Sequence, residues 1–159
     1  MANPRDIARN LRPEINVGDS ETPDWTEIKG ITEISPSHNR ETTDTTGFDS
    51  DGQAQHIVTQ RSKELSMSGF LVYDTNDDGA RDPGQEALMD ADSEIGQAAA
   101  IDFRLVHRVT DEIMAHYDAT VEVGSPYGGG TNDASTFDAT ITRNGPDGED
   151  VGSTANGGT

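Results

Sequence analysis

Residues 100–143 contain three stretches in which apolar and polar side chains alternate, and this period of two constrains the fold more than any other feature. In "AIDFRLVHRV" (100–109), Ile101, Phe103, Leu105 and Val109 alternate. In "EIMAHYDATVEVG" (112–124), Ile113, Ala115, Tyr117, Ala119, Val121 and Val123 do so, and in "TFDATITR" (136–143), Phe137, Ala139 and Ile141. Successive side chains of a strand point to opposite faces, so each stretch reads as a strand with one buried and one wet face. The wet face carries Asp102, Arg104, His116, Asp118 and Glu122. Three such strands in succession predict an antiparallel meander with one face packed on a core.

The rest of the chain is arranged around that meander. "WTEIKGITEIS" (25–35) reads as a strand, and "KELSMSGFLVYD" (63–74) as another, with Leu65, Met67, Gly69, Leu71 and Tyr73 on alternate positions. Between them, "PSHNRETTDTTGFDSDGQ" (36–53) is polar and too long for a tight hairpin, and "AQHIVTQ" (54–60) is a weak extended candidate. One helix is expected over 82–100. Asp82 is its N-cap, Pro83 lies in its first turn and Gln85 sits three residues after the cap, with Leu88, Ala91, Ile95, Ala98 and Ala99 as a narrow apolar stripe. Residues 1–24 read as an arm with a short helix at "PRDIARNL", 25–145 as the domain, and the Gly-rich 146–159 as a loose, flexible tail. The expected class is mainly β: an antiparallel sandwich or barrel-forming sheet with one flanking helix and extended arms.

Composition excludes several functions. The chain has 159 residues and no cysteine, so it suits one domain without disulfides, zinc thiolates or a catalytic thiol. Its opening residues have no apolar core of a secretion signal, and no apolar run is long enough to span a bilayer. Thirty acidic residues against eleven basic give a formal net charge of −19. That field repels nucleic-acid phosphates and anionic membranes, so tight DNA binding and membrane binding are not expected. At ~1 M salt the screening length shrinks to roughly 3 Å, which removes most of the self-repulsion. Nineteen Asp against two Lys thus resembles proteins of salt-loving organisms. Only 31% of residues are hydrophobic, so the core must be thin and neighbours are expected to help hold it.

The densest chemical motif is "VYDTNDDGARDPGQ" (72–85). Counted from Asp74, it offers oxygen ligands at Asp74, Asn76, Asp78 and Asp82, a glycine at Gly79 and the carbonyl of Ala80, a spacing that suits Ca2+. The twelfth position is Gln85 where a bidentate Glu is usual, and a strand rather than a helix leads in. The segment resembles the calcium loops of dockerins and of bacterial surface-adhesin repeats; an acidic turn capped by Asp82 explains the same residues. Either way it would staple a strand-to-helix corner. Among the histidines, a buried-face register pairs Val109 with Ile113, Leu105 with Tyr117 and Phe103 with Ala119, which puts His107 and His116 on opposite faces. No G-x-S-x-G, HExxH or phosphate-binding loop is present, and no enzyme activity is expected.

"ETTDTTGFDSDGQAQHIVTQRSKELSMSGFLVYD" (41–74), with Asp44, Thr46, Asp49, Ser50 and Gly52, resembles the tail tube, or major tail, proteins of long-tailed non-contractile viruses. "WTEIKGITEIS" and "TFDATITRNG" are similar to that family's first and last strands, so the resemblance covers 25–145. It implies six-membered rings that stack into a tube conducting double-stranded DNA during ejection. It also implies contacts with a tape measure protein and other tail proteins, assembly in the host cytoplasm and a place in the virion tail. Combined with the charge, it points to a virus of a halophilic archaeon. Asp102, Asp118 and Glu122 become candidate lumen-lining residues, tempered by Arg104 and Arg108. The alternative class is a calcium-binding β-sandwich module of a surface adhesin or an enzyme accessory domain, which rests on Asp74–Asp82 alone.

Overall fold

A computed structural model describes residues 8–74, 80–124 and 130–155. Its elements in chain order are β1 (Leu11–Asn16), β2 (Trp25–Glu27), β3 (Ile31–Asp44), β4 (His56–Phe70), β5 (Tyr73–Asp74), β6 (Ala80–Arg81), α1 (Pro83–Ser93), β7 (Ala100–His107), β8 (Ile113–Val123) and β9 (Thr136–Arg143). Seven strands form one antiparallel sheet in the order β2-β1-β7-β8-β9-β4-β3, and β5 pairs with β6 beside it. The mainly-β, antiparallel architecture with one helix is the expected one.

The strand order forces a curl. β2 and β3 are the two outer strands of the sheet, yet only residues 28–30 join them. Such a link spans at most roughly 14 Å between flanking Cα atoms, so the sheet must bend its edges toward each other. The apolar faces then meet inside, where Ile15, Ile28, Met67, Phe103, Phe137 and Ile141 are almost wholly buried. Helix α1 lies on the same side against β1, β2 and β8, burying Leu88 and Ala91. Gly30 makes the corner possible: it has φ +80°, and a Cβ there would come within 2.5 Å of the Phe70 carbonyl oxygen.

Several expectations are corrected. Residues 11–16, read as part of an arm, form β1 between β2 and β7, with Glu14 and Ile15 buried. The stretch 25–35 is two strands at opposite edges of the sheet. The polar residues 36–44 are strand: β3 and β4 form a long ribbon from Ile31↔Gly69 out to Asp44↔His56, interrupted by irregularities in register. Pro36 is tolerated there because β3 is an edge strand and need not donate outward. The helix stops at Ser93, whose hydroxyl donates to the Asp90 carbonyl, and Ile95 is 91% exposed rather than on an apolar stripe. A short 3-10 turn at Gly96–Ala99 then leads into β7.

The β7–β8 register is Ile101↔Ala119, Phe103↔Tyr117 and Leu105↔Ala115, two residues from the expected one, so the same faces meet. Val109 lies in the connecting turn and is 73% exposed. After β9 the chain does not hang loose. Residues 144–155 form a strap along β8 where β9 no longer covers it. Asn144 N–H donates to the Asp118 carbonyl, Gly148 N–H to the His116 carbonyl and Gly152 N–H to the Ile113 carbonyl, while Ile113 N–H donates to the Ser153 carbonyl.

Candidate assembly surfaces and the polar sheet face

The β3–β4 ribbon leaves the body of the molecule near Pro36↔Leu65. Beyond that pair, every strand residue of both chains is exposed. It is therefore a two-stranded projection with water on both faces, held by backbone pairing and by few side-chain contacts. Its tip is ordered locally: Ser50 Oγ accepts from Gly47 N–H, Ser50 N–H donates to the Gly47 carbonyl, and Thr45 N–H donates to the Gln55 carbonyl. Phe48 at the tip is fully exposed, and Ile57 is 59% exposed next to a half-covered Val58. Arg40 stands opposite Arg61, and His38 opposite Lys63, so the ribbon concentrates scarce positive charge.

The wet face of the meander is not an open row of carboxylates. Asp118 and Glu122 are exposed, and Asp118 pairs across from Asp102. Asp102, however, is engaged. Its Oδ1 lies 2.6 Å from His116 Nε2, and its Oδ2 accepts from Asn16 Nδ2 at 3.5 Å. His116 Nδ1 in turn lies 2.5 Å from Asp150 Oδ1 on the strap. Burial lowers the His116 pKa, but the hydrogen bonds and charges of Asp150 and Asp102 outweigh it and hold the group above its ordinary 6.5. Arg104 turns away from this trio toward Glu14, with Nη2 3.0 Å from Oε2, and its guanidinium covers the Trp25 ring at 4.1 Å. Arg108 pairs with Glu27. Both arginines expected to temper a lumen are thus engaged by carboxylates of β1 and β2.

The other histidine of the hairpin goes elsewhere: the Nδ1 of His107 meets Thr110 in the turn. Among the described residues, no three His, Asp or Glu side chains are arranged so as to hold a metal ion. For the acidic loop, Asn76 and Asp78 lie outside the described residues, as does the side chain of Asp74. Ala80 pairs with Asp74 in the β5–β6 ladder. Asp82 is buried and acts as the N-cap; its Oδ2 accepts from Gln85 N–H and Lys29 N–H, both at 3.2 Å. Gln85, at the twelfth loop position, is fully buried and wholly used. Its Nε2 donates to the Lys29 and Phe70 carbonyls at 2.8 Å, and its Oε1 accepts from Val72 N–H. The amide therefore stitches the 28–30 corner, the end of β4 and α1 together, which accounts for Gln rather than Glu at this position. Sequence reading missed this role, and nothing in the local pattern distinguishes it from a capping-box residue.

No protein-family model matches this chain, and no curated protein matches it. Solved structures do. A chain in the tail of an empty GTA particle, refined helically with C6 symmetry, superposes with a TM-score of 0.60 at 16% identity, over 91% of this chain and 98% of that one. A chain of the virion of a native gene transfer agent particle gives 0.57 at 17% identity, over 90% and 97%. A chain of the six-fold symmetrised baseplate of an anti-feeding prophage gives 0.55 at 10% identity, over 91% and 95%. The present chain shares its fold with these proteins of particle tails and baseplates along nearly its whole length.

Proposed function

We propose that this chain is a structural, non-enzymatic subunit of the tail tube of a tailed virus or virus-like particle. Six copies close a ring, and stacked rings form a hollow conduit for double-stranded DNA. The observation that carries the reading is the fold shared, end to end, with a chain from a tail of C6 symmetry. The ribbon supports it. A projection with both faces wet and with Phe48 and Ile57 bare gains burial only against another molecule, and a second copy is always at hand. The free edges of β2 and β3 support it too, because closure into a larger barrel is one way that edge strands are hidden.

The charge fits conduction rather than binding. A wall built from copies carrying −19 each repels the phosphate backbone, so DNA slides past without adhering. In this reading the exposed Asp118 and Glu122 of the polar sheet face present part of that charge to the lumen. The same acid excess supports a virus of a halophilic archaeon, while the long non-contractile tail rests on the sequence resemblance alone. In such a particle the tube would also meet a tape measure protein. Electron microscopy of the purified protein in molar salt tests the reading. Hollow six-fold rings or tubes wide enough for duplex DNA are expected. A monodisperse monomer under every assembly condition, together with tight calcium binding, would favour the adhesin-like module instead.

A further inference from the structure

Both nitrogens of His116 face carboxylate oxygens, Nε2 toward Asp102 at 2.6 Å and Nδ1 toward Asp150 at 2.5 Å. A neutral imidazole carries one N–H and one lone pair, so it can satisfy only one of these contacts; the imidazolium donates to both. The two carboxylates are not equivalent. Asp102 is fixed within β7, in the middle of the sheet, whereas Asp150 belongs to the strap. The strap lies close here, since a Cβ on Gly148 would come within 2.7 Å of His116 Nδ1. We propose that the C-terminal strap is latched onto β8 by the proton on His116, and that loss of this proton to solvent frees the strap.

The charged surroundings of His116 come from every element packed on it. β7 supplies Asp102 and, directly opposite, Arg104. β1 supplies Glu14, which neutralises Arg104, and Asn16, which holds Asp102. β2 supplies Trp25, whose ring meets the imidazole edge-on at 5.2 Å. β8 itself supplies the exposed Asp118, and the strap supplies Asp150 with Glu149 beside it in sequence, while the strap's Asp147 is answered by Arg143 of β9 at 3.2 Å. With Arg104 answered by Glu14, the net field at the ring is negative and favours the imidazolium. When the proton leaves, one nitrogen presents a lone pair to a carboxylate, and the movable partner, Asp150, yields. The strap's hydrogen bonds to Ile113 and His116 then open, baring an edge of β8 that could accept another strand.

The sign follows from the raised pKa of His116. The latch is fully closed below the unfolded value of 6.5 and weakens as the pH rises through the folded value. Amide exchange of the intact protein, corrected for the intrinsic pH dependence, tests this alongside an NMR titration of His116 in the same buffer. Protection of residues 146–155 should fall by up to about tenfold per pH unit above the His116 midpoint, while residues 137–143 stay constant. Asp150→Asn should lower strap protection at pH 6 and remove its pH dependence. Strap protection that is flat while His116 titrates, or a strap in Asp150→Asn as protected as the parent's, would overturn the proposal. The wild-type measurement decides the matter even if the variant does not fold.

Discussion

The guanidinium of Arg104 grips the carboxylate of Glu14 between β7 and β1, with side-chain exposures of 8% and 6%. Nε and Nη2 both donate to the carboxylate, and Trp25 covers the cation. The cost of desolvating two charges is offset only while both are present. Glu14→Ala should therefore cost about 3–5 kcal/mol by leaving a buried guanidinium unpaired. The double change Glu14→Leu with Arg104→Met should cost less than that single change. Chemical denaturation of the three proteins checks this; a Glu14→Ala midpoint close to the parent's would contradict it. Because Ile15 adjoins the pair and is itself core, removing residues 1–16 should abolish folding rather than merely free an arm.

Gln85 makes a second, sharper demand. Its side chain must donate twice and accept once, which an amide does and a carboxylate cannot. In Gln85→Glu, an anion would face two carbonyl oxygens in a fully buried site, or it would take up a proton and still lack one donor. A loss of about 2–4 kcal/mol is expected, with the variant recovering part of it at acid pH. Asp82→Ala removes the cap that neighbours it and should cost about 1–2 kcal/mol. Thermal melts between pH 5 and 8 separate the two, since only the Gln85→Glu deficit should grow with pH.

The legible parts of the fold were those with one dry face and one wet face. β7, β8, β9 and the inner half of β4 alternate, and the sequence pattern followed them. β1 escaped because its buried positions include Pro13 and Glu14, and Glu14 is inside only because Arg104 waits for it from ninety residues away. The ribbon escaped for the opposite reason: with both faces in water, the outer parts of β3 and β4 have no alternation to read. The strap reads as a glycine-rich tail, and its order comes from backbone bonds to β8 and from His116, neither of which has a local signature. Of the proposed site residues, Asp118 and Glu122 do reach solvent. Asp102 lies on the polar side that the alternation predicts, but its partners His116 and Asn16 cannot be seen without the register.

The acid excess makes its own forecast. Thirty carboxylates outnumber the eleven Lys and Arg by nineteen, so most of the negative charge is left without a compensating positive one. Screening over ~10 Å at 0.1 M salt leaves neighbouring carboxylates repelling, whereas ~3 Å at 1 M largely silences them. The melting temperature should rise by at least ~5 °C from dilute buffer to molar KCl, a gain of roughly 1.5–2 kcal/mol for a chain of this size. Differential scanning fluorimetry across a KCl series reads it directly. A flat series would remove the salt-loving reading without touching the fold.

The ribbon separates folding from assembly. Residues 40–61 include no core residue; apart from Ser50, which is buried in the tip's own turn, all of them are exposed. Asn39 and Ser62 stand opposite each other, so an Asn-Gly turn joining them would close the shortened hairpin in a geometry that suits strand twist. Such a variant should fold with a stability within about 1 kcal/mol of the parent, because little burial is lost and a shorter loop costs less entropy to close. What it loses is Phe48, Ile57, Val58 and the Arg40–Arg61 pair, the groups with nothing to do in a single copy. Sedimentation and negative-stain microscopy in molar salt should show folded monomers or isolated rings in place of tubes. Tubes as long and as frequent as those of the parent would mean that the ribbon serves no contact between copies, and the assembly surface would then have to be sought at the β2 and β3 edges.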